Sequence, residues 1–272
     1  MRFYKNFILP YLVWAGLLIV IPLIMILIYA FTADGNSVLT VSFTFDNFKN
    51  ILSSAYISVF WTSLKIGIIT VLICLVLGYL MAYLIAQFSE KVQTILILLV
   101  TIPMWINMLL RTYAWISILS DNGLLNSLLT FLGLEPMSLM YTDFAVILGL
   151  VCDFLPFMII PIHTSLSKMD KSLIEASYDL GANKFQTFKR VIFKLSIPGV
   201  VNGIIMVFLL SISSFVIPKL LGGGNYMMVG NLIESQFISV GDWNFGSAIS
   251  FVLAAIMLVA IKITEKFDKT DE

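Results

Sequence analysis

The residues of this sequence best suited to chemistry are a few charged and aromatic side chains inside long apolar runs. Asp153 lies near the middle of one such run. A carboxylate at the centre of a membrane helix costs on the order of 2.5–3.5 kcal/mol, so it must face a cavity or a partner. Asp153 therefore either lines a path and meets a cationic substrate, or it pairs with Lys65 or Arg111 or makes polar contacts with another helix. The fixed charge of Arg111 would repel a cation, which favours a structural role tied to an acidic residue or a lipid headgroup.

Three aromatic residues lie close to Arg111 in the sequence, namely Trp105, Tyr113 and Trp115. Tryptophan and tyrosine concentrate at the interfaces between membrane and water, whatever the function of the protein. Their ring faces also attract ammonium groups. Two interpretations therefore stay open for each ring: an interface anchor, or a contact on the path of a cation.

The sequence lacks the residue sets that enzymes use. His163 is the single histidine, and it stands without the partners of a catalytic triad or a metal site. No glycine directly precedes a lysine, so the sequence contains no Walker A phosphate-binding loop. We therefore expect no enzyme activity, cofactor or metal in this chain. If transport uses ATP, another subunit must bind it.

The composition indicates a membrane protein. Of the 272 residues, 60% are apolar and 12% are charged, whereas an ordinary soluble domain has about 45–50% apolar and about 25% charged residues. The mean hydropathy of +1.00 agrees. Disorder is excluded because it needs low hydrophobicity and high charge, and a soluble enzyme has no place to bury this much apolar surface. The formal net charge of zero argues against a nucleic-acid partner.

Long apolar stretches predict the membrane spans, since a membrane helix needs about 20 mostly apolar residues. Six stretches qualify: 7–31, 59–87, 93–110, 144–166, 197–218 and 245–264. The expected fold class is an all-α, polytopic membrane protein with six transmembrane helices, forming a single transmembrane domain over residues 1–272. The segment 167–196 connects the fourth and fifth stretches.

The basic residues orient the chain. When the N-terminus is placed in the cytoplasm, twelve of the 16 basic residues, from Arg2 to Lys269, fall on the cytoplasmic side, as the positive-inside rule requires. Both termini are then cytoplasmic. The outer half carries eight acidic residues, from Asp34 to Asp242, and four basic ones. This negative charge either attracts cations to the outer face or is only the result of positive-inside sorting.

Segment 167–196, which we call the elbow, has the pattern of two helices joined at a glycine. Asp170 can cap the first helix, and Gly181 can end it because glycine accepts the left-handed conformation. Asn183, with Gln186 three positions later, is typical of a capping box that starts the second helix. The elbow is either a surface helix on lipid headgroups or a docking site for a cytoplasmic partner.

A motif that begins in the elbow resembles the EAA loop of ABC importer permeases. It runs Glu175-Ala176-Ser177, then Gly181, and continues just beyond the elbow with Ile197-Pro198-Gly199. In that family the elbow is the coupling helix, which fits a groove on the ATP-binding subunit and carries its motion to the membrane helices. The resemblance implies the type I (MetI-like) permease fold. It implies coupling through Glu175, Ala176, Ser177, Asp179, Gly181 and Ala182, with Ser177 in place of the usual second alanine.

Further motifs are similar to the permeases of spermidine and putrescine importers, and to the first of their two permeases (PotB-like) more than the second. They are Pro103-Met-Trp105-Ile-Asn107, Arg111-Thr-Tyr113-Ala-Trp115, Asp121-Asn-Gly-Leu-Leu-Asn126, Asp153-Phe-Leu-Pro156-Phe157, Pro218 to Gly224, Gly230-Asn231 and Asp242-Trp243. With a polyamine as the substrate, the candidate residues of the substrate path are Asp153, Trp105, Tyr113 and Trp115.

The resemblance implies a permease subunit of an ATP-driven importer in the bacterial cytoplasmic (inner) membrane. Its implied partners are a second, homologous permease, two ATPase subunits that bind ATP and Mg²⁺, an extracytoplasmic polyamine-binding protein and membrane lipid. One alternative is an ABC permease for another small solute, such as an amino acid or an anion. The other is a secondary transporter that acts alone, although the sequence shows no internal repeat of the kind common in that class.

Overall fold

The computed structural model describes residues 2–33, 42–224 and 226–268. Asp34 and Lys269, two of the charges used to orient the chain, lie outside the described residues. The helices are α1 (Arg2–Ala15), α2 (Ile21–Ala30), α3 (Asp46–Ile51), α4 (Ser54–Ala86), α5 (Glu90–Trp105), α6 (Met108–Leu119), α7 (Leu124–Phe131), α8 (Asp143–Ser167), α9 (Lys171–Asp179), α10 (Lys184–Thr187), α11 (Phe193–Ser213), α12 (Val216–Leu221), α13 (Val229–Glu234) and α14 (Trp243–Asp268). Where the structure describes the chain, its β pairing is one isolated bridge between Thr32 and Phe43.

Apolar helices of membrane-spanning length account for most of the predicted spans. In the described part of the chain, five helices are long and apolar enough to cross a membrane, and a bent pair brings the number to six. The five are Pro10–Ala30, Ser54–Ala86, Asp143–Ser167, Lys184–Ser213 and Trp243–Lys262. They overlap the predicted stretches 7–31, 59–87, 144–166, 197–218 and 245–264.

The third predicted span, 93–110, is not one helix. α5 ends at Trp105, the next residue is extended, and the segment Met108–Phe131 continues at an angle of 88°. The side chain of Asn107 accepts the backbone N–H of Leu109 at 2.8 Å. The chain breaks here because an asparagine in this position caps the start of a new helix.

The fifth predicted span, 197–218, is displaced toward the N-terminus. The helix runs from Lys184 to Ser213, and Ser214 is then extended (φ −64°, ψ 134°). The carbonyl of Phe215 accepts the side-chain amide of Asn231 at 2.6 Å. The same carbonyl accepts the backbone N–H of Lys219 at 3.2 Å, so α12 begins here as a separate short helix.

The chain divides into two compact units: Met1–Phe60 with Leu232–Leu258, and Trp61–Asn231 with Val259–Glu272. In the first unit, the carbonyl of Thr32 accepts the side-chain amides of Asn244 at 2.7 Å and of Asn47 at 2.9 Å. The ring of Phe31 packs against Phe251 with centroids 5.6 Å apart. These contacts hold the end of α2 against α3 and α14.

The second unit is built around α8, which packs along α11 and also contacts α5, α6 and α12. Met158 of α8 fills the space between two glycines. A Cβ on Gly78 of α4 would lie 2.7 Å from Met158 Cγ, and a Cβ on Gly203 of α11 would lie 2.6 Å from its Sδ. Both positions need a residue without a side chain, because the helices approach closely there.

Candidate functional site

The elbow begins with a capped helix. Asp170 Oδ1 accepts the backbone N–H of Ser172 at 2.9 Å, and this hydrogen bond lowers the pKa of the Asp170 carboxyl. The helix that follows is α9. It presents three of the predicted coupling residues to solvent, namely Glu175, Ala176 and Asp179. These side chains are accessible to a partner.

Gly181 ends α9, as the sequence predicts, in the left-handed conformation with φ +82°. Its N–H donates to the carbonyl of Tyr178 at 2.8 Å, and the N–H of Ala182 donates to that of Ser177 at 3.0 Å. These two bonds form a Schellman motif, which satisfies the last carbonyls of the helix. A Cβ at Gly181 would have no atom within 4 Å. The need for glycine here is therefore conformational and not a matter of space.

The second arm of the elbow starts at the predicted capping box. Asn183 Oδ1 accepts the N–H of Gln186, and Gln186 Oε1 accepts the N–H of Asn183, both at 2.9 Å. α10 then continues through a π-helical turn, Phe188–Ile192, into α11. The helix Lys184–Ser213 is consequently one run of 30 residues. The elbow's second arm and the fifth span therefore belong to one continuous helix.

A buried hydrogen bond joins the two arms. Ser177 Oγ and Thr187 Oγ1 lie 2.9 Å apart. The Ser177 hydroxyl donates to the carbonyl of Ile174 at 2.8 Å, so the Thr187 hydroxyl is the donor between the two side chains. An alanine, the usual residue at position 177 in the EAA pattern, has no acceptor for it. Beside this bond lies a cavity of ≈ 400 Å³ lined by Leu180, Gly181, Ala182, Gln186, Arg190 and Val191.

Large apolar side chains also lie on the solvent-exposed surface of the elbow. Leu180 is 89% exposed and Phe185 is 72% exposed. The combination with the exposed acids suits a docking surface for a folded partner.

Aromatic contacts fasten the elbow to α4, through two tyrosines of α4 that the sequence did not single out. The ring of Phe188, the first residue of the π-helical turn, packs edge-on against Tyr83 and Tyr79, with centroids 5.3 and 5.9 Å apart. The hydroxyls of Tyr79 and Ser196 lie 3.0 Å apart. π-Helical turns inside α-helices are frequent at functional sites.

Asp153 of α8 and Arg111 of α6 form a buried ion pair. Arg111 Nη1 lies 3.3 Å from Asp153 Oδ1, and the two side chains are 19% and 5% exposed. Of the two interpretations of Asp153, pairing with Arg111 is the arrangement observed in this conformation. Arg111 Nε and Nη1 and Asp153 Oδ2 are buried without a hydrogen-bond partner among the residues that the structure describes. The pair is therefore incompletely satisfied.

The four candidate residues of the substrate path lie on three helices. Trp105 ends α5 and is 83% exposed. Tyr113 is exposed on α6, beyond the bend, and the half-buried Trp115 packs against the core of the unit. Asp153 meets Arg111. The role of all four in a substrate path stays a prediction.

A polar cluster at the start of α8 was not predicted. Lys65 Nζ donates to Asp143 Oδ2 at 2.9 Å, and the Tyr226 hydroxyl donates to Asp143 Oδ1 at 3.0 Å. Burial raises the pKa of Tyr226, and the bond to Asp143 adds to this effect. Tyr226 and Asp143 are 83 positions apart in the sequence, so no local pattern could have revealed the cluster.

Comparison with known proteins gives a family and named relatives. Residues 74–268 match the family described as "Binding-protein-dependent transport system inner membrane component". The chain is 41% identical over 247 residues to the spermidine/putrescine transport system permease protein PotB of Salmonella typhimurium strain SL1344, covering 90% of this chain and 86% of that protein. The protein of the same name from Haemophilus influenzae is 37% identical over 259 residues, covering 94% and 91%. These likenesses confirm the resemblance seen in the motifs.

Solved structures agree on the fold. A chain in the crystal structure of a bacterial alginate ABC transporter, in complex with an alginate pentasaccharide-bound periplasmic protein, superposes with a TM-score of 0.80. The match covers 97% of this chain and 92% of that one at 16% sequence identity. An identity this low shows the fold alone. The fold is that of type I ABC importer permeases, which confirms the predicted fold class.

Proposed function

Because this chain belongs to the family of binding-protein-dependent transport system inner membrane components, we propose that it is the permease subunit of an ATP-driven ABC importer that takes up polyamines. The observation that carries the proposal is the 37–41% identity to proteins named spermidine/putrescine permeases, over about nine-tenths of the chain. The acidic outer half of the sequence suits a cationic solute. The permease itself is not an enzyme, and ATP and Mg²⁺ bind to the partner ATPase.

The elbow is the proposed contact with that ATPase. Its predicted coupling residues are Glu175, Ala176, Ser177, Asp179, Gly181 and Ala182. Two features of the structure support this role. The elbow exposes acidic and large apolar groups together on its surface. Its second arm continues into α11 as one helix. A push on the elbow's second arm therefore reaches α11 within one continuous helix.

The proposed assembly contains a second, homologous permease, two ATP-binding subunits and an extracytoplasmic polyamine-binding protein. This chain would supply half of the translocation pathway within the bacterial inner membrane. Both termini and the elbow would face the cytoplasm, because that orientation places twelve of the 16 basic residues inside.

The proposed mechanism is alternating access. ATP binding closes the ATPase pair, and the elbow moves with it. The helix Lys184–Ser213 then moves so that the translocation cavity between the two permeases opens to the outside. The binding protein then releases a polyamine toward Asp153 and the rings of Trp105, Tyr113 and Trp115. Hydrolysis resets the cycle. Such a two-state change requires partners that favour different states, which the nucleotide-bound and nucleotide-free ATPases provide.

The proposal is tested by purifying the tagged chain in mild detergent and identifying the co-purified proteins by mass spectrometry. We expect an ATPase with a phosphate-binding loop and a second permease of similar length. Uptake of labelled spermidine by vesicles that hold this complex should need ATP and the binding protein. Competition by unlabelled putrescine, but not by amino acids or sulfate, then separates a polyamine importer from an importer of another small solute.

A chain that purifies alone and transports without ATP would contradict the proposal. That result would make it a secondary transporter, and the elbow would then be a surface helix on lipid. Uptake that is ATP-dependent but competed by an anion or an amino acid would retain the ABC importer and reject the polyamine.

A further inference from the structure

The geometry of the Arg111–Asp153 pair differs from that of a structural ion pair. A guanidinium frequently binds a carboxylate through two parallel hydrogen bonds of about 2.7–2.9 Å. Here the groups approach through one nitrogen and one oxygen at 3.3 Å. Arg111 Nε and Asp153 Oδ2 are buried and find no other partner in the described ranges. In an apolar interior, attraction offsets desolvation only when the remaining donors and acceptors are also bonded. The charge of the Asp153 carboxylate is therefore neutralised by Arg111, but its hydrogen-bonding capacity is not filled.

The two members of the pair differ in burial and in the packing of their helices. Asp153 lies on α8, at the centre of the packed core, and its side chain is 5% exposed. Arg111 lies on α6, which starts at its own cap on Asn107 after the 88° bend, and its side chain is 19% exposed. Arg111 is consequently the member that can leave, while the carboxylate stays in place.

We propose that Arg111 is a tethered substitute for the substrate cation: it neutralises Asp153 in the empty permease, and an ammonium group of the polyamine displaces it during transport. This inference rests on the proposed function. An ammonium carries three donors, so it can bond both carboxylate oxygens, including the unpartnered Asp153 Oδ2. Exchange of one cation for another leaves the charge of the site unchanged. The buried carboxylate is therefore never bare, which would be costly at low dielectric.

The exchange also gives Arg111 a role in release. The displaced guanidinium stays tethered to α6 and competes for the same carboxylate oxygens, so its return displaces the polyamine. A permease without this competitor holds its substrate more tightly and releases it more slowly. Arg111 is thus a positioning residue whose loss separates binding from turnover.

Equilibrium binding of radiolabelled spermidine to the purified complex of both permeases and the ATPase, without the binding protein, tests the exchange. Arg111→Gln should lower the Kd for spermidine by roughly tenfold, because a competing bound state raises the apparent Kd in proportion to its population. Asp153→Asn should raise the Kd by a similar factor. The double variant should bind as weakly as Asp153→Asn alone, although no unpaired charge remains in it.

Two results would overturn the exchange: Asp153→Asn binds spermidine like the wild type, or Arg111→Gln weakens binding. Recovery of wild-type uptake in the double variant would equally reduce the pair to a structural link between α6 and α8. The double variant keeps the test valid where a single variant fails to assemble, and co-purified ATPase reports assembly. A wild-type complex that does not take up spermidine would instead contradict the proposed function.

Discussion

The elbow and the Arg111–Asp153 pair, both in the second unit, differ in how completely their polar groups are hydrogen-bonded. In the elbow, Asp170 caps one helix, Asn183 and Gln186 cap the next, and the Schellman motif at Gly181 satisfies the carbonyls between them. The ion pair, in contrast, leaves buried donors and an acceptor without partners among the described residues. Local bonds make the elbow stiff, and missing bonds leave the pair free to change partner.

This contrast suits the two tasks of a permease. Transmission of force requires a segment whose shape does not change when a partner pushes on it. A site that takes up and releases a solute requires polar groups whose hydrogen bonds are incomplete, since a fully satisfied hydrogen-bond network resists exchange. The contrast predicts graded effects of substitution, the largest at the pair and the smallest at the elbow's first cap.

The largest effect is expected at the buried pair. Arg111→Gln leaves the Asp153 carboxylate buried and unpaired, which should lower the free energy of unfolding by about 3 kcal/mol in the absence of substrate. Lys65→Gln is the matched control, because the Lys65–Asp143 pair is half-exposed and such pairs contribute at most about 1 kcal/mol. Thermal unfolding of the purified complex measures both. Saturating spermidine should restore the Tm of the Arg111 variant but not that of the control, and equal losses in the two variants would remove the contrast.

A smaller effect is expected at the glycine of the elbow. Gly181→Val places a β-branched residue in the left-handed conformation, at a cost of about 1–2 kcal/mol. Gly181→Asn is the matched control, since asparagine tolerates this conformation. The valine variant should hydrolyse ATP but move less spermidine per ATP, because the elbow no longer transmits the ATPase motion. Equal coupling ratios in the two variants would show that the shape of the elbow does not matter.

The hydrogen bond between the two arms contributes less again. Ser177→Ala leaves the buried Thr187 hydroxyl without its acceptor, at a cost of about 1 kcal/mol. The double change Ser177→Ala/Thr187→Val removes both hydroxyls and should recover most of this loss, because no buried donor is then left unpaired. A double-mutant cycle on the Tm separates the bond from the rest of the packing. If the two single changes add without coupling, the bond does not hold the arms together.

The smallest effect concerns the exposed cap of α9 and depends on pH. The pKa of Asp170 is lowered from its ordinary value of 3.8 by the hydrogen bond from Ser172. A carboxyl with a lowered folded-state pKa stabilises the fold above its ordinary value, and the contribution is lost as the pH falls through the lowered pKa. The protection factors of the α9 amides, which correct for the intrinsic exchange rate at each pH, should therefore fall at acid pH in the wild type. Asp170→Asn keeps a cap that does not titrate, so a similar acid dependence in that variant would contradict this explanation.

Sequence patterns revealed the features that depend on near neighbours. The cap on Asp170, the glycine at Gly181 and the capping box at Asn183 follow from the types of a few adjacent residues, and the structure has all three. The apolar stretches likewise overlap five helices that are long and apolar enough to cross a membrane, because a lipid environment imposes length and composition directly.

The break in the third span shows why length alone was insufficient. Asn107 carried a cap signal within the motif itself, but the apolar residues on both sides of it concealed the end of α5. Contacts between distant residues were harder to foresee. Asp153 had two candidate partners, Lys65 and Arg111, and only the packing of α6 on α8 selected Arg111. The Tyr226–Asp143 bond had no signal at all.

The most direct test of the account is uptake by proteoliposomes that contain this permease with its co-purified permease and ATPase. Labelled spermidine should accumulate only with internal ATP and the external binding protein, and Gly181→Val should reduce accumulation without stopping ATP hydrolysis. Accumulation that is independent of ATP, or that is unchanged by Gly181→Val, would contradict the claim that the elbow couples ATP hydrolysis to polyamine import.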